Sequence, residues 1–389
     1  MFSNRIVHFS GIPNRLYRQK AAIMKAGMPL IDLISANVHQ HGIQYPQAIL
    51  KKGFKNASEQ TKIYRPDSAG QRTARMAIQK YYTQDGVDIS PDQIIITPGT
   101  SVSYQYLFQL FANAGDEMLC PTPAYPLFDS IAALSDVKIT YYRLALSERW
   151  NIDFSDLEKK ITQKTRAIVL ISPHNPTGAV ATRKELGRLC SIAKRFNLPI
   201  ISDEVFSAFL MHGKFLPRPT DGMAPLVLIL NGISKMLALP GMKIGWIAIL
   251  GMPALVKKTT QILQGISDTF LPVNELSQFA LPTLLEEGKD FLNRYQAEIK
   301  RRYEIAVAIL SSASHLSFCP SEGGFYITLQ IKNQKVNEEK VALNLLEKEG
   351  ILVHPGYFYG LPSGTLVMSF ISKPALLKKS LQKIIHYSK

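Results

Sequence analysis

Leu226-Val227-Leu228-Ile229-Leu230-Asn231-Gly232-Ile233-Ser234-Lys235 carries an unbroken apolar run straight into a lysine, and Leu239-Pro240-Gly241-Met242-Lys243-Ile244-Gly245-Trp246 follows it. The apolar run reads as a buried strand. A lysine held between that strand and a Pro-Gly turn is in an unusual place for a surface cation. Burial disfavours the charged amine and lowers its pKa, and a neutral amine can attack a carbonyl to form a Schiff base.

Working outward, strands and helices alternate. Ile94 to Thr97 reads as strand, Ser101 to Ala112 as helix, Glu117 to Cys120 as strand and Pro126 to Leu134 as helix. Lys138 to Tyr142, Ala167 to Ser172 and Leu198 to Ser202 read as strands, with a helix over Arg183 to Phe196 and another through Ala74, Ala77, Ile78 and Tyr81. Such alternation implies an α/β fold with a mostly parallel sheet covered on both faces. Ligands of such sheets lie at the carboxyl ends of the strands. The first 40 or so residues read as an arm with one strand, Leu30 to Ser35. From about Glu275 the pattern changes to a long helix, Glu286 to Ser312, and then to mixed helix and strand. The expected division is an arm and part of a smaller domain over 1–45, a large domain over 46–285 and the rest of the smaller domain over 286–389.

The chain has 389 residues, 46% of them apolar and 19% charged, the balance of an ordinary globular protein. No secretory leader or membrane-spanning run is read in it. Cys120, Cys190 and Cys319 are few, odd in number and far apart, so neither a disulfide framework nor a metal site is implied, and a reducing cytoplasm fits. The net charge of +15 is spread along the chain with no nucleic-acid-reading motif, which points to a basic surface rather than a nucleic-acid partner.

The chemistry-bearing residues gather around Lys235. Asp203 ends the apolar strand Pro199-Ile200-Ile201-Ser202; alone it would read as a carboxylate capping the next turn. Beside a pyridine nitrogen, a buried carboxylate keeps that nitrogen protonated, as pyridoxal phosphate (PLP) requires for its electron sink. Asn175, in Ser172-Pro173-His174-Asn175-Pro176-Thr177-Gly178, could donate to the ring's phenolic oxygen, although Asn-Pro and Thr-Gly are also turn signals. Pro98-Gly99-Thr100-Ser101 opens a helix after a strand, where backbone N–H groups can hold a phosphate. Tyr125, in Pro121-Thr122-Pro123-Ala124-Tyr125-Pro126, can stack on the ring face, and Ser234 and Lys243 can add phosphate contacts.

The order and spacing of these segments resemble the class I/II aminotransferases, PLP enzymes of fold type I, over nearly the whole chain. The C-terminal Glu322-Gly323-Gly324-Phe325-Tyr326 and Leu352-Val353-His354-Pro355-Gly356 resemble that family's small domain. The resemblance implies a large domain with a mostly parallel seven-stranded sheet flanked by helices, and a smaller α+β domain. It implies that Lys235 forms the Schiff base and shuttles a proton, with Asp203 on the pyridine nitrogen, Asn175 on the phenolic oxygen and Tyr125 on the ring. Gly99, Thr100, Ser101, Ser234 and Lys243 would hold the phosphate. Tyr64, in Tyr64-Arg65-Pro66-Asp67-Ser68-Ala69-Gly70, matches a tyrosine that reaches the neighbouring subunit's phosphate, so a homodimer with shared sites is expected.

Four positions depart from the family pattern. Phe206 stands where a tyrosine usually donates to the phenolic oxygen, which should raise the imine's pKa. Lys243 replaces a common arginine, giving a point charge in place of a bidentate fork. Ala36 stands at the usual glycine near the substrate carboxylate and would crowd the site. In Leu366-Val367-Met368-Ser369-Phe370, Val367 occupies the position of the arginine that clamps that carboxylate. Each charge-assisted bond so lost is worth about 1.5–3 kcal/mol. Lys373 or Arg65 could supply another cation. Three readings follow: an aminotransferase with a rebuilt carboxylate site, a fold type I enzyme acting on an amine or running another reaction such as β-elimination, and a non-catalytic PLP-binding descendant. Transamination is the expected function, because the cofactor side is complete.

Overall fold

Leu226–Gly232 forms a strand buried at every position in the computed structural model, which describes residues 1–389 apart from 1, 4, 7–10, 12, 214, 221–223 and 334. It lies within an eight-stranded sheet. From one edge the order is Ile94–Thr97, Gly245–Gly251, Leu226–Gly232, Ile200–Asp203, Thr165–Ile171, Glu117–Thr122, Lys138–Leu146 and Trp150–Ile152. The run from Leu226–Gly232 to Lys138–Leu146 pairs in parallel throughout. Gly245–Gly251 is antiparallel to both of its neighbours.

Alternate residues along each strand divide between two apolar cores. Ile200, Val227, Ile229 and Ile168 belong to one; Ile201, Leu226, Leu228, Leu230 and Val169 belong to the other. Successive side chains of a strand point to opposite faces, so both faces of the sheet are covered. That explains why its strands read as continuous apolar runs rather than as alternating ones.

Three elements differ from the sequence expectation. The sheet has eight strands rather than seven. The extra one, Trp150–Ile152, is three residues long, too short to carry a periodic signal, and closes an antiparallel hairpin on Leu144–Leu146. The first strand shrinks to Ile31–Asp32, because Asp32 Oδ1 accepts from the backbone N–H of Ile34 and Ser35 at 2.8 and 2.9 Å and turns the chain. The long helix expected over Glu286 to Ser312 is Lys289–Leu310, and a separate helix that was not expected, Glu275–Glu287, precedes it across Gly288. A Cβ at Gly288 would lie 2.6 Å from the Tyr45 hydroxyl, which itself donates to Leu284 O at 2.7 Å.

A second, antiparallel sheet is ordered Leu316–Phe318, Tyr326–Ile331, Thr365–Ser369, His354–Pro355. The N-terminal segment joins this unit: Ile31–Asp32 pairs in parallel with Ile351–Leu352, and helix Arg15–Lys25 lies against helix Glu338–Glu349. Arg149 ties the two units together, pairing with Glu185 at 3.0 Å and Glu322 at 2.8 Å. Among the described residues no helix is long and apolar enough to cross a membrane.

Candidate active site

The parallel register places Ile171, Asp203 and Leu230 in one row at the carboxyl edge of the large sheet. Beyond that row the chain enters the loops that carry Asn175, Phe206 and Lys235. On the other side Thr97 and Gly232 both pair with Gly245, so the turn at Gly99 comes to the same edge. These loops, with the N-terminal segment and the second sheet, enclose a cavity of about 760 Å³.

Its wall brings together Ala36, Gly99, Thr100, Ser101 and Tyr125. Asn175, Asp203, Phe206, Ser234 and Lys235 complete the sequence-derived set there. Three candidates lie outside the lining. Val367 is fully buried within the second sheet, Tyr64 is 71% exposed, and Lys243 is exposed in a left-handed turn. Arg65 and Lys373, the candidate replacement cations, are also exposed and do not line the cavity. Two other clefts of about 890 Å³ are larger, so chemistry rather than volume singles out this one.

Burial alone pushes the Lys235 amine down to about 8, which gives it a sizeable neutral fraction near pH 7. Asp203 is 8% exposed, and burial pushes its carboxyl up to about 6 against the pull of two hydrogen bonds. Those come from the Tyr104 hydroxyl to Oδ2 at 2.8 Å and the Val205 N–H to Oδ1 at 3.1 Å. Asn175 Oδ1 is buried with no partner in the protein, an amide with unmet hydrogen-bonding capacity. Phe206 is buried edge-on to Phe325, ring centres 5.0 Å apart, so the missing hydroxyl is replaced by packing.

At the other end three glycines allow close backbone approach. Gly99 precedes helix Thr100–Phe111 at φ 143°, a conformation that disfavours any side chain. A Cβ at Gly245 would sit 2.9 Å from Gly99 Cα, and one at Gly232 would sit 2.7 Å from Ile244 O. The resulting bare helix start is suited to an anion. A buried acid, an amide side chain, a half-buried lysine and an anion-ready helix end in one wall fit PLP.

Sequence reading missed several lining residues. Tyr104 was concealed in the apolar pattern of its helix, and a hydroxyl on an inward-facing helical position was its only signal. Tyr17, Asp32, Tyr326, His354 and Tyr359 also line the cavity. They come from remote segments, so no local spacing joins them.

Residues 30–384 match the family model for aminotransferase class I and II. Glutamate-pyruvate aminotransferase AlaA of Escherichia coli K12 is 29% identical over 356 residues, covering 89% of this chain and 86% of that protein. An aspartate aminotransferase of Sulfolobus acidocaldarius is 26% identical, covering 84% of this chain and 82% of that protein. The solved alanine aminotransferase from Pyrococcus furiosus superposes with a TM-score of 0.90 at 26% identity, covering 100% of this chain and 99% of that one. The chain belongs to the class I and II aminotransferase family and has its fold type I architecture. It is an enzyme of the transaminase class.

Proposed function

We propose that this cavity holds PLP and that the enzyme moves an amino group between an amino acid or amine and a 2-oxo acid, with Lys235 as the Schiff-base lysine. When bound, PLP supplies an electron sink for the negative charge left on the amine-bearing carbon. Lys235 would hold the cofactor through Nζ, using the neutral fraction of its amine, and would carry the proton there. Asp203 would hold the pyridine nitrogen, Asn175 the phenolic oxygen and Tyr125 the ring face. Gly99, Thr100, Ser101 and Ser234 would hold the phosphate from the helix start, with Lys243 adding charge from outside the lining. Tyr64 would serve the partner subunit's site in a homodimer, and its exposure supports a role across an interface. Cys120, Cys190 and Cys319 are not joined in disulfides, which fits a cytoplasmic enzyme.

The observation that carries this reading is the convergence of Lys235, Asp203, Asn175 and the Gly99 helix start on one cavity wall. Borohydride reduction of the PLP-loaded protein, followed by peptide mass mapping, tests it. The cofactor mass is expected on Lys235; label on another lysine, or on none, removes the assignment.

A further inference from the structure

Three side chains from remote segments form one hydrogen-bonded row in the cavity wall. His354, in the strand His354–Pro355, stands at its centre. Its Nε2 lies 2.9 Å from the hydroxyl of Tyr17, in helix Arg15–Lys25, and its Nδ1 lies 2.9 Å from the hydroxyl of Tyr359. Neither hydroxyl has another partner among the described residues. All three residues line the cavity around Lys235. Tyr326 lines it too, but its hydroxyl already donates to Ile34 O at 3.0 Å.

The row is neutral. Burial pushes His354 down to about 4, with Asp32 opposing and Lys20 assisting. Those two form an ion pair at 2.9 Å and bring no net charge to the row. Burial raises the phenols of Tyr17 and Tyr359, and Asp32 and neighbouring tyrosines add to it. A neutral imidazole carries one N–H and each phenol one O–H. The two bonds within the row use two of these three protons, so one hydroxyl keeps a free proton. The imidazole tautomer decides which. If Tyr17 donates to Nε2, Nδ1 donates to Tyr359 and the free proton is left on Tyr359, which is 5% exposed. If Tyr359 donates to Nδ1, Nε2 donates to Tyr17 and the free proton is left on Tyr17, which is 38% exposed. A buried donor without an acceptor bears a desolvation cost that an open one does not, so the second arrangement is favoured.

We propose that Tyr359, His354 and Tyr17 form a one-way donor chain whose outward proton, on the Tyr17 hydroxyl, binds the carboxylate of the amino acid and 2-oxo acid substrates. This rests on the transamination reading above. An ionised carboxylate only accepts hydrogen bonds, so it is the complement of a free hydroxyl proton, and a bond to a charged acceptor is among the stronger kind. The sheet register gives the chain its place. His354 pairs directly with Val367, and side chains of antiparallel partners share one face of the sheet. Val367 is fully buried and does not line the cavity, so at this point of the sheet it is His354 that reaches the substrate side. Tyr17 is the binding residue; His354 and Tyr359 act through it and are positioning residues.

Alanine and ethylamine share an amine and differ by the carboxylate, so calorimetric titration of both into the PLP-loaded protein reads what the carboxylate contributes. The wild type is expected to bind alanine more tightly than ethylamine. Tyr17→Phe removes one hydroxyl from a partly open ring, and PLP uptake read from cofactor absorbance checks its fold. It should weaken alanine about tenfold or more and ethylamine less than about twofold. Tyr359→Phe keeps the Tyr17 hydroxyl but no longer fixes the tautomer, so alanine should lose less than in Tyr17→Phe. Unchanged alanine affinity in Tyr17→Phe, or equal weakening of both ligands, overturns the proposal, as does a wild type without preference for alanine. A larger loss in Tyr359→Phe than in Tyr17→Phe reverses the direction of the chain and overturns it as well. Tyr17-dependent alanine binding with no nitrogen transferred to any 2-oxo acid upholds the donor chain and removes the transamination reading instead.

Discussion

Two residues at the site are held away from their usual ionisation by burial, and each gives a pH-dependent prediction. Asp203 in the folded protein takes up its proton at about 6, above the ordinary carboxyl value of 3.8. PLP bound through its protonated pyridine nitrogen needs the carboxylate, so its affinity should fall as pH drops through about 6. Tyr104→Phe removes the donor that favours the carboxylate and should move that midpoint upward and weaken PLP binding at neutral pH several-fold. An absorbance titration against pH checks this, and an unmoved midpoint contradicts it. Lys235 is shifted the other way, from 10.5 to about 8. The unfolded chain binds more protons between these values, so the lysine's stabilising contribution is present above about 10.5 and is lost as pH falls through 8. Lys235→Ala should therefore raise the melting temperature of the PLP-free protein, by more at pH 7 than at pH 10. Asp203, Asn175 and Lys235 were legible in the sequence because each ends or follows an apolar run at a carboxyl edge. Tyr104 and the lining residues Asp32 and His354 were not, since only the fold joins helix Thr100–Phe111 to a strand end, or brings residues 32 and 354 to one cavity.

At the scale of elements, the glycines at the proposed phosphate end act through contact distances. Gly245→Ala puts a methyl group 2.9 Å from Gly99 Cα, where only backbone can move. Overpacking of this kind costs about 1–3 kcal/mol, and here it also distorts the turn proposed to hold the phosphate. Denaturant unfolding should show the loss, and PLP affinity should fall with it; an unchanged unfolding midpoint would mean that the turn relaxes freely. The start of helix Arg183–Arg195 is a capping box: Thr182 Oγ1 accepts from Glu185 N at 3.2 Å, and Glu185 Oε2 accepts from Thr182 N at 2.9 Å. The helix over Arg183 to Phe196 was readable because its chemistry is local. The alternating strands and helices of the large sheet were readable for the same reason. Strand Trp150–Ile152 escaped because three residues carry no periodic signal, and the helix boundary at Gly288 escaped because the Tyr45 contact lies far away in the chain.

At the scale of the molecule, the expected homodimer leads to a complementation test. Tyr64→Ala and Lys235→Ala homodimers should each be defective, the first in PLP affinity and the second in chemistry. If Tyr64 serves the neighbouring subunit, a mixed dimer pairs an intact Lys235 with an intact Tyr64 at one of its two sites. Mixed dimers purified after co-expression should then show tight PLP binding and turnover at about half their sites; no recovery places Tyr64 outside the neighbour's site. The central claim is that the cavity around Lys235 carries an amino group between two carbonyl compounds. The most direct measurement follows the absorbance of the PLP-loaded protein while a panel of amines and amino acids, and then a carbonyl acceptor, is added. The account predicts that the yellow protein bleaches with a donor and recovers its colour with the acceptor as the aminated product appears. A protein that takes up PLP but neither bleaches with any donor nor yields an aminated acceptor would contradict it.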